Sequence, residues 1–485
     1  MNRRGFLAQL AAATATPRPN VLFIAVDDLR PEFGAYGAPF VLTPNLDRLA
    51  HSSVVFERAY CQSALCNPSR SSMLTGLRPD TLKVWDLQTD FRIHNPGAIT
   101  LPQHFREQGY QTIGSGKIFH NIFPDPPSWS EEIRIPGYPF DPDAVYRSPS
   151  ELVKIEAAKQ QIIERGQQKR HMDRYNEWYL KSSATEAPDV PDSAYFDGAQ
   201  TDIAVSKLKQ LQSSNKPFFY GIGYYRPHLP FNAPKRYWDL YDRSKLPLAS
   251  NPNPPVGVPL MANNRNRELR GYKDFTSAPT PDQGPLTEAQ ARLLRHGYFA
   301  SVSYIDAQIG RLLNQIDSNT IVVLWGDHGY KLGEHRAWGK MTNFEIDTRV
   351  PLMIRSPRLK PHRFRGLVES IDIYPTLCAL AGLTTPKDLE GLNLLNHSQG
   401  KPAAFSQYLR DGIWTAPDGN PYMGYTIRTA THRYVEWRTW PAKQLAATEL
   451  YNEKQDPRET INIAPRNPGL SNNLARQLRQ QFNLA

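Results

Sequence analysis

The sequence predicts an α/β protein: a large, mostly parallel mixed sheet flanked by helices, followed by a smaller C-terminal α+β unit. Three observations predict it. Residues 20–26, 217–225 and 320–325 are continuous apolar runs, as expected of strands buried on both faces of a parallel sheet. Amphipathic stretches at 197–211 and 286–317 lie between such runs, where crossover helices belong. After about Gly382 the texture changes, and residues 425–438 alternate in the manner of paired strands before a polar terminal helix. The expected division is 18–385 for the main domain and 386–485 for the C-terminal subdomain.

Composition sets bounds on function. A chain of 485 residues, 40% hydrophobic, holds a sizeable core, and its 42 prolines imply long surface loops. No apolar stretch reaches the length a membrane span needs. The net charge of +10 points toward polyanions. Zinc-finger spacing, RNA-binding aromatic signatures and recognition-helix patterns are all missing, so charge alone does not argue for nucleic acid. The three cysteines, Cys61, Cys66 and Cys378, are too few for a disulfide framework, and Cys378 lies in a Leu/Ala-rich helical run suited to a core. Residues 1–15 read as a leader. Arg3-Arg4-Gly5-Phe6-Leu7 resembles a twin-arginine export signal, and Ala13-Thr14-Ala15 offers a cleavage site. That signal peptide implies a periplasmic or secreted enzyme; a basic disordered tail is the alternative.

Along the chain, Asn20–Val26 ends in Asp27-Asp28. Carboxyl ends of parallel strands are where open α/β sheets place their sites. Two adjacent carboxylates there call for a compensating cation, such as a hard divalent ion. The other reading is one carboxylate capping a turn and one in solvent. Thr43 caps a helix that runs to residue 52, with Pro44 at its first position. A helix at 100–108 closes at Gly109. A strand at 110–115 then delivers Lys117 and His120, each of which could line a site or lie on the surface. Residues 121–196 read as an insertion or lid, charged and helical in their second half. The strand at 217–225 leads into Tyr224-Tyr225-Arg226-Pro227-His228-Leu229-Pro230, whose prolines hold His228 in an extended loop. Residues 244–286 are loop-like. The strand at 320–325 ends in Gly326-Asp327-His328-Gly329, followed by Trp338-Gly339-Lys340. A further strand covers 350–355 and a helix 369–381.

The most informative stretch is Cys66-Asn67-Pro68-Ser69-Arg70-Ser71-Ser72-Met73-Leu74-Thr75-Gly76. Pro68 suits a first helical turn and Gly76 a helix end, so Cys66 sits at a helix N-terminus beside Arg70. Both features favour an anion. The alternative is a buried cysteine before an ordinary helix. Cys-x-Pro-Ser-Arg followed by Leu-Thr-Gly resembles the maturation motif of the type I sulfatase family. Asp27-Asp28, Lys117-x-x-His120, Pro227-His228-x-Pro230, Asp327-His328 and Trp338-x-Lys340 fall in that family's order. Within it, the iduronate-2-sulfatase branch is the closest likeness. It is carried by 26–31, 116–120, 298–304 and 327–335.

The resemblance implies an alkaline-phosphatase-like fold, with 18–385 as the catalytic domain. It implies that a formylglycine-generating maturation enzyme oxidises Cys66 to formylglycine (3-oxoalanine). It also implies that Asp27, Asp28, Asp327 and His328 hold Ca2+ with an oxygen of the modified Cys66. His328 stands where the wider family more often has Asn, and it is the ligand that could instead act on the nucleophile. If Cys66 is converted, Cys61 and Cys378 remain as one possible pair.

A sulfate ester is anionic, so Ca2+, Arg70, Lys117 and Lys340 would neutralise it. One hydroxyl of the hydrated aldehyde would attack sulfur, with Asp327 as base. His228 with Lys340 would protonate the departing alcohol, and His120 would take the proton whose loss expels sulfate. The implied substrate is a sulfated oligosaccharide, cleaved by an exo-acting 2-O-sulfatase of uronic acid residues in glycosaminoglycans. Rival readings are a sulfatase for another, for example algal, polysaccharide; a phosphate or phosphonate ester hydrolase; an inactive binder of sulfated polysaccharide; and, from charge alone, a nucleic-acid binder.

Overall fold

The computed structural model describes residues 18–120, 123–135, 145–164, 181–214, 216–412 and 415–484. The expected leader, residues 1–15, lies outside them, as do residues 121–122, 136–144 and 165–180 of the expected insertion.

In chain order the elements that position the site are β1 (Asn20–Val26), α1 (Pro44–His51), β2 (Val54–Tyr60), α2 (Cys66–Thr75), α3 (Leu101–Glu107), β3 (Gln111–Gly116) and β4 (Glu131–Ile133). Then come α4 (Pro149–Glu164), α5 (Phe196–Gln212), β5 (Phe218–Tyr224), α6 (Glu288–Leu313), β6 (Thr320–Gly326), β7 (Arg349–Arg355), β8 (His362–Glu369) and α7 (Ile373–Ala381). The eight strands form one sheet in the order β8-β2-β7-β6-β1-β5-β3-β4. All neighbouring pairs are parallel except those of β7, which runs against both β2 and β6. The sheet is therefore mixed and mostly parallel, as expected.

Its central strand, β1, is buried along nearly its whole length because both faces are covered. Leu22, Ile24 and Val26 pack with α5 and α6, whereas Val21, Phe23 and Ala25 pack with α2, α3 and α7. Each of these side chains larger than alanine contributes about 1.5–3 kcal/mol by leaving water. Three strands escape the sequence reading, among them β4, which joins the sheet from within the stretch read as an insertion or lid. In β2 the pair Glu57-Arg58 interrupts the apolar run, and β8 carries exposed His362, Arg363 and Arg365.

One local expectation needs correction and another is refined. Thr43 precedes α1, but its side chain makes no capping bond to the helix. Asp306 of α6 caps it instead, accepting the backbone N–H groups of Asn45 (3.1 Å) and Leu46 (2.7 Å). The helix expected from Glu369 begins as a capped 3-10 turn and becomes α-helical only at Ile373. Glu369 itself ends β8, and a single 3-10 turn, Ser370–Asp372, leads into α7.

The C-terminal subdomain is an antiparallel meander of β9 (Ala403–Arg410), β10 (Tyr422–Thr429), β11 (His432–Thr439) and β12 (Leu445–Asn452). Helix α8 (Pro468–Phe482) covers it through Leu474, Ala475, Leu478 and Phe482. Glu369 ties it to the main sheet. Its carboxylate binds Arg78 (2.7 Å) and accepts the backbone N–H of Phe405 (2.9 Å). Among the described residues no helix is long and apolar enough to cross a membrane. Cys61, Cys66 and Cys378 are all free and buried.

Candidate active site

Strands β6, β1, β5 and β3 are consecutive and parallel, so their carboxyl ends open onto one edge. β6 delivers Asp327-His328, β1 Asp27-Asp28, β5 the His228 loop and β3 Lys117. The alignment runs one residue past the strands, for Asp27 N–H donates to Tyr224 O (3.1 Å) and Asp327 N–H to Val26 O (3.4 Å). Asp28 then turns into the left-handed region at φ 59°. Tyr298 of α6 holds that turn, donating to Asp28 O at 2.7 Å.

Helix α2 enters the same edge with Cys66 as its first residue. It ends at Gly76 (φ 71°), whose N–H donates to Ser72 O at 2.8 Å. Ser69 and Arg70 lie three and four residues on, over the same face. Ser69 Oγ donates to Asp327 O, and Arg70 Nε donates to Asp327 Oδ2 at 2.9 Å. Arg70 Nη1 donates to the carbonyls of Lys117 and Ile118. The motif thus pins Cys66 against the ends of β6 and β3. Lys117 reaches its place through a glycine: a Cβ on Gly223 would stand 2.0 Å from Lys117 O.

One ligand atom each from Asp27, Cys66, Asp327 and His328 lies within 4.8 Å of the others, and all four residues are buried. His328 Nδ1 faces Gly329 O at 3.1 Å, so that nitrogen carries the proton. Its Nε2 lone pair then points at Cys66 Sγ, 3.2 Å away. Asp28 stands beside this group, 3.4 Å from His328 Nδ1, and receives both bonds of Lys340 Nζ (2.8 and 2.9 Å). Lys117 Nζ binds Asp27 Oδ2. Arg70 Nη2 is buried with no hydrogen-bond acceptor, 3.6 Å from Asp27 Oδ1.

Charge sets the protonation states. Burial opposes ionisation of Asp27, but Lys117, His228, Arg70 and Lys340 hold its carboxyl well below the usual range. Asp28 is pushed up to about 7, by burial and by Asp27. Burial and Asp27 also raise the Cys66 thiol. Helix N-terminus and Arg70 therefore do not outweigh burial beside a carboxylate for the thiol itself, and the anion they favour is the substrate's. Burial and Lys117 hold His120 well below its ordinary value, and its Nδ1 has no partner among the described residues.

His228 Nδ1 lies 2.7 Å from Leu229 O, and Nε2 lies 3.0 Å from Glu268 Oε1. Asp197 fixes the loop by accepting the N–H groups of Tyr225 (3.0 Å) and Arg226 (2.9 Å). Glu268 was not anticipated. It also approaches Lys340 (3.5 Å), and Asn264 steadies Lys340 by donating to its carbonyl at 2.8 Å. Both lie in 244–286, where no periodicity marks them.

Comparison with known proteins agrees with this geometry. A family profile described as Sulfatase matches residues 19–383, and one described as N-sulphoglucosamine sulphohydrolase, C-terminal, matches 333–484. Iduronate 2-sulfatase of Mus musculus is 36% identical over 527 residues, covering 93% of this chain and 91% of its own. Two solved structures share the fold. One, determined in complex with its substrate D-glucosamine-2-N,6-O-disulfate, has a TM-score of 0.70 at 21% identity, covering 96% of this chain and 98% of the other. The other, a phosphonate monoester hydrolase from Silicibacter pomeroyi, has a TM-score of 0.69 at 23% identity, covering 96% of each chain.

Proposed function

Because the chain belongs to the sulfatase family and is a sulfuric ester hydrolase, we propose that it removes 2-O-sulfate from terminal uronic acid residues of glycosaminoglycan-type oligosaccharides. The observation that carries this is the convergence of Asp27, Cys66, Asp327 and His328 under Arg70, Lys117 and Lys340. The uronate part rests on the likeness to iduronate 2-sulfatases.

The donor set fits a hard divalent ion, since two buried carboxylates and an open imidazole nitrogen face one point. Asp27, Asp327 and His328, with Asp28 beside them and an oxygen at position 66, would hold Ca2+, which supplies charge neutralisation for the bound sulfate. Formylglycine at position 66, made by a maturation enzyme, would supply a carbon bearing two hydroxyls, one to take sulfur and one to expel sulfate.

The remaining steps belong to the chain's own side chains. Arg70 Nη2 offers an unspent donor to a sulfate oxygen, and Lys117 and Lys340 add positive charge on either side. The His228–Glu268 pair holds a proton at Nε2 for the departing alcohol, with Lys340 close by. Neutral His120, with Nδ1 unpartnered, takes up a proton in the second half-reaction. Asp327 would take the proton of the attacking hydroxyl and also orients its neighbours. Its Oδ1 accepts from the N–H groups of Asp28 (3.2 Å) and His328 (3.0 Å), and its Oδ2 from Arg70.

Arg3-Arg4 supports export to the periplasm or medium. The test is peptide mass spectrometry over Cys66 in protein made with a maturation enzyme, paired with sulfate release from defined disaccharides. Formylglycine at 66 with release from 2-O-sulfated uronate is expected. Thiol alone in the native host, or faster phosphate than sulfate release, refutes the reading.

A further inference from the structure

A cleft of about 250 Å³ opens beside Lys340 and Glu268. That is smaller than pockets for drug-sized ligands, about 300–1,000 Å³, and suits one sugar ring with its charged groups. Its lining is unbalanced in charge. Arg265, Arg267, Arg270, Arg410 and Lys340 all border it, and Glu268 is the only carboxylate among the described lining residues. Glu268 is already engaged by His228 and Lys340 at the catalytic end. It therefore does not neutralise the arginines farther out.

Two of these arginines have capacity left over. Arg270 Nε is buried with no acceptor among the described residues. Arg265 is exposed at the cleft. Arg410, 2% exposed, directs its guanidinium to the carbonyls of Met261 (2.6 Å) and Met341 (3.1 Å), and so forms a fixed positive wall. Like charges gathered around one concavity repel one another unless an anion occupies it, and a cleft lined by one sign focuses its field on such a ligand. The planar guanidinium fork matches the oxygens of a carboxylate or a sulfate.

We propose that Arg265 and Arg270, backed by Arg410, form a second anion subsite that receives a carboxylate or sulfate of the same substrate molecule whose scissile sulfate lies at position 66. The inference rests on the sulfatase reading of the Cys66 site and adds a requirement: good substrates carry at least two anionic groups, about one sugar apart. The group is either the carboxylate of the sulfated sugar or a second sulfate on its neighbour.

The test compares wild type, Arg265→Ala and Arg270→Gln, as full-length matured protein, on a 2-O-sulfated uronate disaccharide and on a singly charged aryl sulfate. Each variant is expected to lower the disaccharide-to-aryl ratio of kcat/KM about tenfold, mainly through KM, with partial recovery in Arg270→Lys. Two further substrates identify the source. If reducing the carboxylate to an alcohol abolishes the difference between wild type and variants, the ligand is the carboxylate; if removing the second sulfate does so, it is that sulfate. Ratios within twofold of wild type in Arg265→Ala overturn the subsite, and this exposed position decides alone if Arg270→Gln does not fold. Wild-type protein that cleaves none of these esters refutes the sulfatase reading itself, which distinguishes the two failures.

Discussion

His228 Nε2 lies 3.0 Å from Glu268 Oε1 while its Nδ1 is bound to Leu229 O at 2.7 Å. The carbonyl can only accept, so Nδ1 carries a proton, and a proton taken up at Nε2 would be held there by the carboxylate that faces it. Burial and Lys340 pull the imidazole's pKa down, which makes that proton easier to give. Glu268→Gln is thus expected to slow alkyl sulfates by about 10–100-fold and activated aryl sulfates by less than about threefold, below the roughly 100–10,000-fold of a lost general acid because His228 itself remains. Steady-state rates across a leaving-group series measure it. His228→Ala with unimpaired cleavage of a poor leaving group removes the pair from the mechanism.

The metal reading predicts more than lost turnover. Chelation or Asp27→Ala is expected to abolish activity, and Ca2+ added back to chelated wild type is expected to raise Tm as ligand linkage requires. Asp27→Ala should show no such rise, since its carboxylate is one of the four clustered donors. Full activity after chelation and in Asp27→Ala excludes the ion.

Gly223 tests how the sheet places Lys117. A Cβ there meets Lys117 O at 2.0 Å and Ile118 N at 2.7 Å, both backbone atoms. Gly223→Ala should therefore push the Lys117 peptide away from β5, costing about 1–3 kcal/mol of stability and at least tenfold in kcat. Thermal melts and rates report both, and an unchanged kcat would mean that Lys117 tolerates displacement.

Glu369 gives a pH signature remote from the chemistry. Burial opposes its charge, but Arg78 and Lys401 prevail and set its pKa at about 2, against an ordinary 4.5. A lowered carboxyl pKa contributes stability above pH 4.5 and loses it as pH falls toward 2. The integrated contribution is about 3 kcal/mol. Glu369→Gln should be about 3–5 kcal/mol less stable at neutral pH, because it strands buried cations. Its stability should also fall less steeply between pH 4.5 and 2, as denaturant melts across that range will show.

The strands that build the site were legible because each is a run of apolar residues ending in polar chemistry. Asn20–Val26 before Asp27-Asp28 and Thr320–Gly326 before Asp327-His328 need no tertiary knowledge to be read. Strand β2 was not legible: its midpoint serves surface contacts, with Glu57 bound to Arg363 and Arg58 to the carbonyl of Arg365. The orientation of β7 was equally hidden, since an apolar run carries no direction. Glu268 escaped for another reason. Its loop is set by distant partners, such as Asn266 accepting from Trp338 N–H at 2.7 Å, and neighbours in sequence encode none of that. The protonation state of the Cys66 thiol was hidden as well, because dipole and arginine are local signals, whereas the opposing burial is global.

All ten residues of α2 are buried, and Cys66 is 3% exposed. Nothing the size of an enzyme can touch that sulfur once the sheet has closed around it. Whatever chemistry alters position 66 must act on the nascent or still-open chain, so synthesis and folding run as a race with a single irrevocable finish. If position 66 is altered in this way, a polypeptide that folds first would keep its thiol, and a preparation would be a fixed blend of finished and unfinished molecules.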